Sequence, residues 1–196
     1  MISHQYMKIP TITWESLLCS GKSLQIKELE LTHPDGKKTP HEVVTPHRED
    51  IFGKISIMPI TVDDEIIIIR RYRAIHDCII LELPSGYAET WKHCALEDAL
   101  HAVLMEKTWY IAGEHRYIGE FSSSSDRMNE TVYGYVATHC RKVTDILSLD
   151  PDEYIERIVV PLWEFDQMVV SELRQGNIIE PKMTSMMYLW KLRLSR

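Results

Sequence analysis

The stretch "KSLQIKELEL" alternates apolar and polar residues with a period of two, the pattern of a strand with one buried face. "HPDGKK" follows with Asp35-Gly36 at its tip, and "TPHEVVTPH" resumes extended chain, so the first fifty residues predict a β-hairpin. An irregular arm is the alternative. From Gly53 the pattern changes. "KISIMPITV", "DEIIIIRRYR" and "CIILELPSG" are dense in isoleucine, as strands buried on both faces are. The Pro-Ser-Gly stretch at 84–86 is expected to turn the chain out of the last of these and into a helix. That helix is "CALEDALHAVLMEK", where Leu96, Ala99, Leu100 and Val103 fall at i, i+3, i+4 and i+7 and form an apolar stripe. Strands return in "RYIGEF", "TVYGYVATHC" and "YIERIVVPL", with the polar "SSSSDRMN" between the first two. "LWEFDQMVVSELRQG" reads as an amphipathic helix stopped by Gly176, and "EPKMTSMMYLWKLRL" as a closing helix. This order predicts an α/β fold in layers with a mixed sheet, not a doubly wound parallel one. Residues 1–52 are expected to form a small N-terminal β subdomain and 53–196 the main domain.

Composition narrows the function classes. At 44% hydrophobic and 26% charged residues, the 196-residue chain has the make-up of an ordinary soluble domain. Its net charge of -7 argues against a general nucleic-acid binder, but local arginines can still hold an anionic ligand. Cys19, Cys78, Cys94 and Cys140 include no CxxC pair, which fits free thiols in a reducing compartment. The longest apolar run, Ile66 to Ile69, is too short to span a bilayer. A cytoplasmic protein with no membrane or nucleic-acid partner is the expectation.

Three segments carry a resemblance. "IIIIRRYRAIHDCIILELPSG" resembles the strand, Q-Y-R segment and E-L-P-A-G entry of the Nudix hydrolase superfamily, ADP-ribose pyrophosphatase type. "YIGEFSSSSDRMNETVYGYVA" resembles that type's loop after the helix. "DEYIERIVVPLWEFDQMVVSELRQGNIIEPKMTSMMYL" resembles its closing strand and two helices. Together they cover nearly the whole chain from about Ser23. The resemblance implies a Nudix fold, an α/β/α sandwich with a mixed sheet, plus the N-terminal β subdomain, through which related enzymes form homodimers.

The family's box is G-x5-E-x7-R-E-U-x-E-E-x-G-U, with U aliphatic. Its helix stacks glutamates on one face to hold Mg²⁺ or Mn²⁺ against a pyrophosphate. This chain keeps Gly86, and aligning the helix then takes one or two extra residues. With one, His101 stands at the arginine, Ala102 and Met105 at two glutamates, and Glu106 survives. With two, Glu106 and Lys107 take the paired glutamates, Ala102 and Val103 the Arg-Glu pair, and Trp109 the glycine. Both alignments lose the acid cluster, so the box is degenerate.

The resemblance supplies candidates for the site. Glu106, Glu130 and Glu153 are the catalytic candidates, Glu130 as the loop glutamate and Glu153, with Asp150 and Asp152 as alternatives, as the acid of the late loop that positions water. A solvated acidic loop is the other reading. Arg71 or Arg73 and Glu82 are expected at the substrate, the arginines otherwise forming a solvated strand end, with Trp14 or Tyr6 stacking on adenine or serving as a core or interface aromatic. The backbone carbonyl of Ser85, Glu106 and Glu97 are the metal candidates, for Mg²⁺ or Mn²⁺ bound weakly or not at all. Glu97 and His101 share a helix face at i and i+4, but no second histidine stands at metal-ligand spacing in the sequence. His101 is therefore expected to be a surface or packed histidine. Two functions follow: a weak Mg²⁺-dependent pyrophosphatase acting on a nucleoside diphosphate sugar such as ADP-ribose, or an inactive protein of the same scaffold that binds a nucleotide sugar or a partner.

Overall fold

Four consecutive isoleucines, Ile66 to Ile69, are almost wholly out of water, which one sheet face cannot achieve. A strand with period two buries such a run only when both of its faces are covered. In the computed structural model, which describes residues 8–47, 51–89, 95–143 and 154–194, both faces are covered. The chain divides into two compact units, one made of residues 1–49 and 122–130, the other of 50–121 and 131–196.

The first unit is an antiparallel meander of β1 (Thr11–Ser20), β2 (Leu24–Thr32) and β3 (Lys38–Pro46). The Asp35-Gly36 turn between β2 and β3 lies where the sequence predicts it. Gly36 has φ 83°, and Asp35 Oδ1 accepts a hydrogen bond from the Lys37 backbone N–H at 3.0 Å. β1 is an additional strand beyond the predicted hairpin, with bulges at Ile12/Trp14 and Leu17/Cys19.

The second unit begins with β4 (Ile51–Thr61), β5 (Glu65–Arg73), β6 (Cys78–Glu82), β7 (Ser85–Glu89) and α1 (Leu96–Thr108). It continues through β8 (Tyr110–Ile111), β9 (Glu114–Ser124), β10 (Met128–Lys142) and β11 (Ile155–Pro161). It closes with α2 (Phe165–Arg174), β12 (Ile178–Ile179) and α3 (Pro181–Leu194). The sheet is mixed. β4 runs parallel to β10 and antiparallel to β7, while β5 pairs antiparallel with β6 and β11, and β12 adds parallel to β6.

Alternation along β4 and β5 divides the core in two. Ile55, Ile57 and Ile67 pack with Ala99, Leu100, Val103 and Leu104 of α1. Met58, Ile60, Ile66 and Ile68 pack instead with Phe165, Met183, Met186 and Met187 of α2 and α3. Helices therefore cover both sides of the sheet, the α/β/α arrangement expected.

The Pro-Ser-Gly stretch departs from expectation. Ser85–Glu89 continues as a strand on β4 instead of turning directly into the helix. The cause is pairing with a buried neighbour, which overrides the weak strand preference of Ser and Gly. Gly86 is required there by closeness: a Cβ on it would stand 2.8 Å from Val103 Cγ2. No helix among the described residues is long and apolar enough to cross a membrane.

Candidate functional site

Glu82 ends β6 with only 8% of its surface exposed. A buried carboxylate must be paired. Arg73, across the β5–β6 ladder, donates from Nη2 to Glu82 Oε1 at 2.7 Å and from Nε to Oε2 at 3.2 Å, the fork geometry that suits guanidinium to carboxylate. Arg71 Nη1 stands 3.8 Å from the same carboxylate. Three predicted substrate residues are thus one ionic cluster at the β5–β6 end. Glu82 uses both oxygens on Arg73, which fixes the guanidinium in place.

Ser85 begins β7, where its hydroxyl donates to the Ser56 hydroxyl at 3.0 Å and to the Leu83 carbonyl at 3.0 Å. The α1 helix packs over this strand through Val103 and Gly86. At its far end the chain takes the left-handed conformation at Trp109, φ 65° and ψ 27°, and the Trp109 N–H donates to the Met105 carbonyl. A residue other than glycine in this region is strained by about 1 kcal/mol. Arg157 of β11 secures it, its guanidinium 3.9 Å from the indole centroid and its Nε donating to the Lys107 carbonyl at 2.7 Å. That bond satisfies one of the carbonyls a helix end leaves open.

Just inside this cap, Lys107 Nζ lies 2.9 Å from Glu106 Oε1. The lysine side chain is 13% exposed and the glutamate 68%. The Glu106 carboxylate therefore faces water, while the cation occupies the half-sheltered place.

The remaining predicted residues lie elsewhere. Glu97 is nine positions before Glu106 on α1, which is about 13 Å along the axis and half a turn round it, so the two cannot share one ion. Among the described residues, one group of three or more metal-type side chains stands close together: Glu97, His101 and His115, with ligand atoms within 4.8 Å of one another. This corrects the expectation that His101 lacks a second histidine. His115 comes from β9, and no local spacing in the sequence announces it. Glu130 is buried within the first unit, where the Ser123 hydroxyl donates to its Oε2. Trp14, in the same unit, lies on β1 with 53% of its surface exposed. Glu153, Asp150, Asp152 and Tyr6 fall outside the described residues.

Comparison with known proteins agrees with this fold. No family model matches the chain. A methanol dehydrogenase activator from Bacillus methanolicus is 28% identical over 161 residues, 81% of this chain and 82% of that one. An ADP-ribose pyrophosphatase from Bacillus subtilis is 26% identical over 164 residues, 82% of this chain and 83% of that one. The crystal structure of an ADP compounds hydrolase superposes with a TM-score of 0.75 at 18% identity, covering 95% of each chain. With the segments that carry the resemblance now placed on this architecture, the chain has the α/β fold of the ADP compounds hydrolase and is similar over most of its length to these two relatives.

Proposed function

We propose that the chain offers a site for a nucleoside diphosphate sugar of the ADP-ribose class, in which metal-assisted hydrolysis is weak or lost. The observation that carries this reading is the end of α1. The left-handed Trp109 stands where the family's box ends in glycine under the alignment with two extra residues, which supports that alignment. Val103 and Lys107, one turn apart, then stand where the box stacks two acids. Val103 is buried against Gly86, and Lys107 brings a positive charge to the position of a metal ligand. Mg²⁺ demands oxygen ligands in near-octahedral order, and an alkyl group with an ammonium does not fit it. The other alignment leaves Ala102, Met105 and a water-facing Glu106, which fits no better.

The binding half of the reading is supported by the Arg71–Arg73–Glu82 cluster and by the ADP-ribose pyrophosphatase among the relatives. A fixed guanidinium suits phosphate oxygens. The relative that is a methanol dehydrogenase activator favours a second reading, in which the nucleotide site serves a partner protein and not turnover.

Self-association belongs to the same proposal. Among the described residues β1 pairs only with β2, and it exposes Ile12, Trp14, Leu17 and Leu18, with Leu24 and Ile26 exposed on β2. An edge strand with this much apolar surface is suited to a second copy of the chain. Sedimentation of the wild type and Leu17→Glu tests it: a dimer converted to monomer is expected, and a wild-type monomer at micromolar concentration removes the idea. Nucleotide binding is tested by calorimetric titration with ADP-ribose in excess chelator. Saturable one-site binding, weakened by Arg71→Ala, is expected. No heat of binding to the wild type overturns the reading.

A further inference from the structure

His115 on β9 is a sheltered imidazole with both ring nitrogens, Nδ1 and Nε2, out of water and without a hydrogen-bond partner. Buried polar groups are nearly always partnered, and an orphaned pair on one ring points to a group that is not protein. His101 approaches the His115 ring edge-on, with ring centroids 4.6 Å apart and planes at 82°. Glu97 and His101 sit one turn apart on α1, so carboxylate and imidazole project from one helix face toward β9.

We propose that Glu97, His101 and His115 form a binding site for a borderline divalent transition ion of the Zn²⁺ class. Two imidazoles with one carboxylate are a donor set for Zn²⁺, Co²⁺ or Ni²⁺, whereas Mg²⁺ and Ca²⁺ take oxygen. Their ligand atoms lie within 4.8 Å of one another. Around tetrahedral zinc, ligand atoms stand about 3.3–3.5 Å apart, so the three must draw in by roughly an ångström. Glu97, exposed in the first turn of α1, has the freedom to do so. Its exposure also leaves the fourth position to water.

The site is separate from the positions where the box stacks its acids. Val103 and Lys107 follow Glu97 and His101 by six residues, about 9 Å along α1 and about 120° round it. It therefore stands whether or not nucleotide binds. Bound metal would fasten the first half of α1 to β9, adding to the edge contact of the two rings.

The test uses the full chain stripped with chelator. Zn²⁺ is titrated against a chromophoric competitor, Co²⁺ absorption reports coordination, and melting is followed in parallel. One Zn²⁺ per chain is expected, with a raised Tm and visible Co²⁺ bands of a four- or five-coordinate site. His101→Ala and Glu97→Gln, neither at a buried core position of α1, are expected to weaken Zn²⁺ by about 10-fold or more. Both should leave the metal-free circular dichroism and Tm unchanged. No Zn²⁺ binding by the wild type overturns the proposal. So does an affinity that survives both substitutions or disappears on thiol alkylation alone.

Discussion

Replacing Gly86 by alanine probes the packing on which the reading of α1 depends. Gly86 is not held at a positive φ, so alanine is strained there only by space. Its Cβ would lie 2.8 Å from Val103 Cγ2 and 3.4 Å from Cγ1. Carbon atoms prefer about 3.5–4.0 Å, and a β-branched side chain in a helix has essentially one rotamer to offer. Relief must come from moving α1 off β7, and overpacking of this kind costs about 1–3 kcal/mol. Val103→Ala alone removes two buried methyl groups, at about 2 kcal/mol once the cavity is included. If Val103 sits over Gly86, the double variant places the new methyl in the vacated space. Its cost then stays near that of Val103→Ala, for a coupling of about 1–3 kcal/mol. Equilibrium urea unfolding of the four proteins measures it. Additivity within about 0.5 kcal/mol would refute the packing and, with it, the assignment of Val103 to the acid position.

Other outcomes follow from the same geometry. Arg73→Ala leaves the buried Glu82 carboxylate with Arg71 at 3.8 Å. Breaking a fully buried pair costs about 3–5 kcal/mol, and because Arg73 is partly exposed about 1–3 is expected by urea unfolding; under 0.5 would contradict the pairing. Trp109→Gly and Trp109→Ala both lose the stack on Arg157, but only glycine is at ease in the left-handed region. The glycine variant should be the more stable by about 1 kcal/mol, and equal stabilities would deny the strain. Burial pushes the Cys140 thiol up to about 12 from 9.0, so the folded chain keeps a proton that the unfolded chain loses. Its contribution is full below pH 9 and falls by about 1.4 kcal/mol per unit as pH rises toward 12. Urea midpoints at pH 8 and 10 should drop more for wild type than for Cys140→Ala; equal drops would refute the burial effect.

Much of this fold is legible in the sequence because its signals are periodic. The Ile66–Ile69 run announces a strand covered on both faces, and the Leu96–Val103 stripe announces α1; both elements are found, but Leu96 itself is exposed and the buried face runs from Ala99. What escapes is decided by partners distant in sequence. Ser85–Glu89 has no strand pattern of its own and is made a strand by β4. His115 is fourteen residues from His101, and only the path from α1 to β9 brings their rings together. The alignment of the box stays open between two choices in the sequence, since Gly86 fixes only its beginning. The left-handed backbone at Trp109, on which the proposed alignment leans, is a conformation that an indole does not advertise.

The most direct measurement is AMP release from ADP-ribose by the purified chain with Mg²⁺ or Mn²⁺, beside Glu106→Gln and beside calorimetric binding of the same compound. The account predicts binding, with release that is slow or absent and indifferent to Glu106→Gln. Brisk metal-dependent release abolished by Glu106→Gln would contradict it, because Glu106 would then belong to a working metal site.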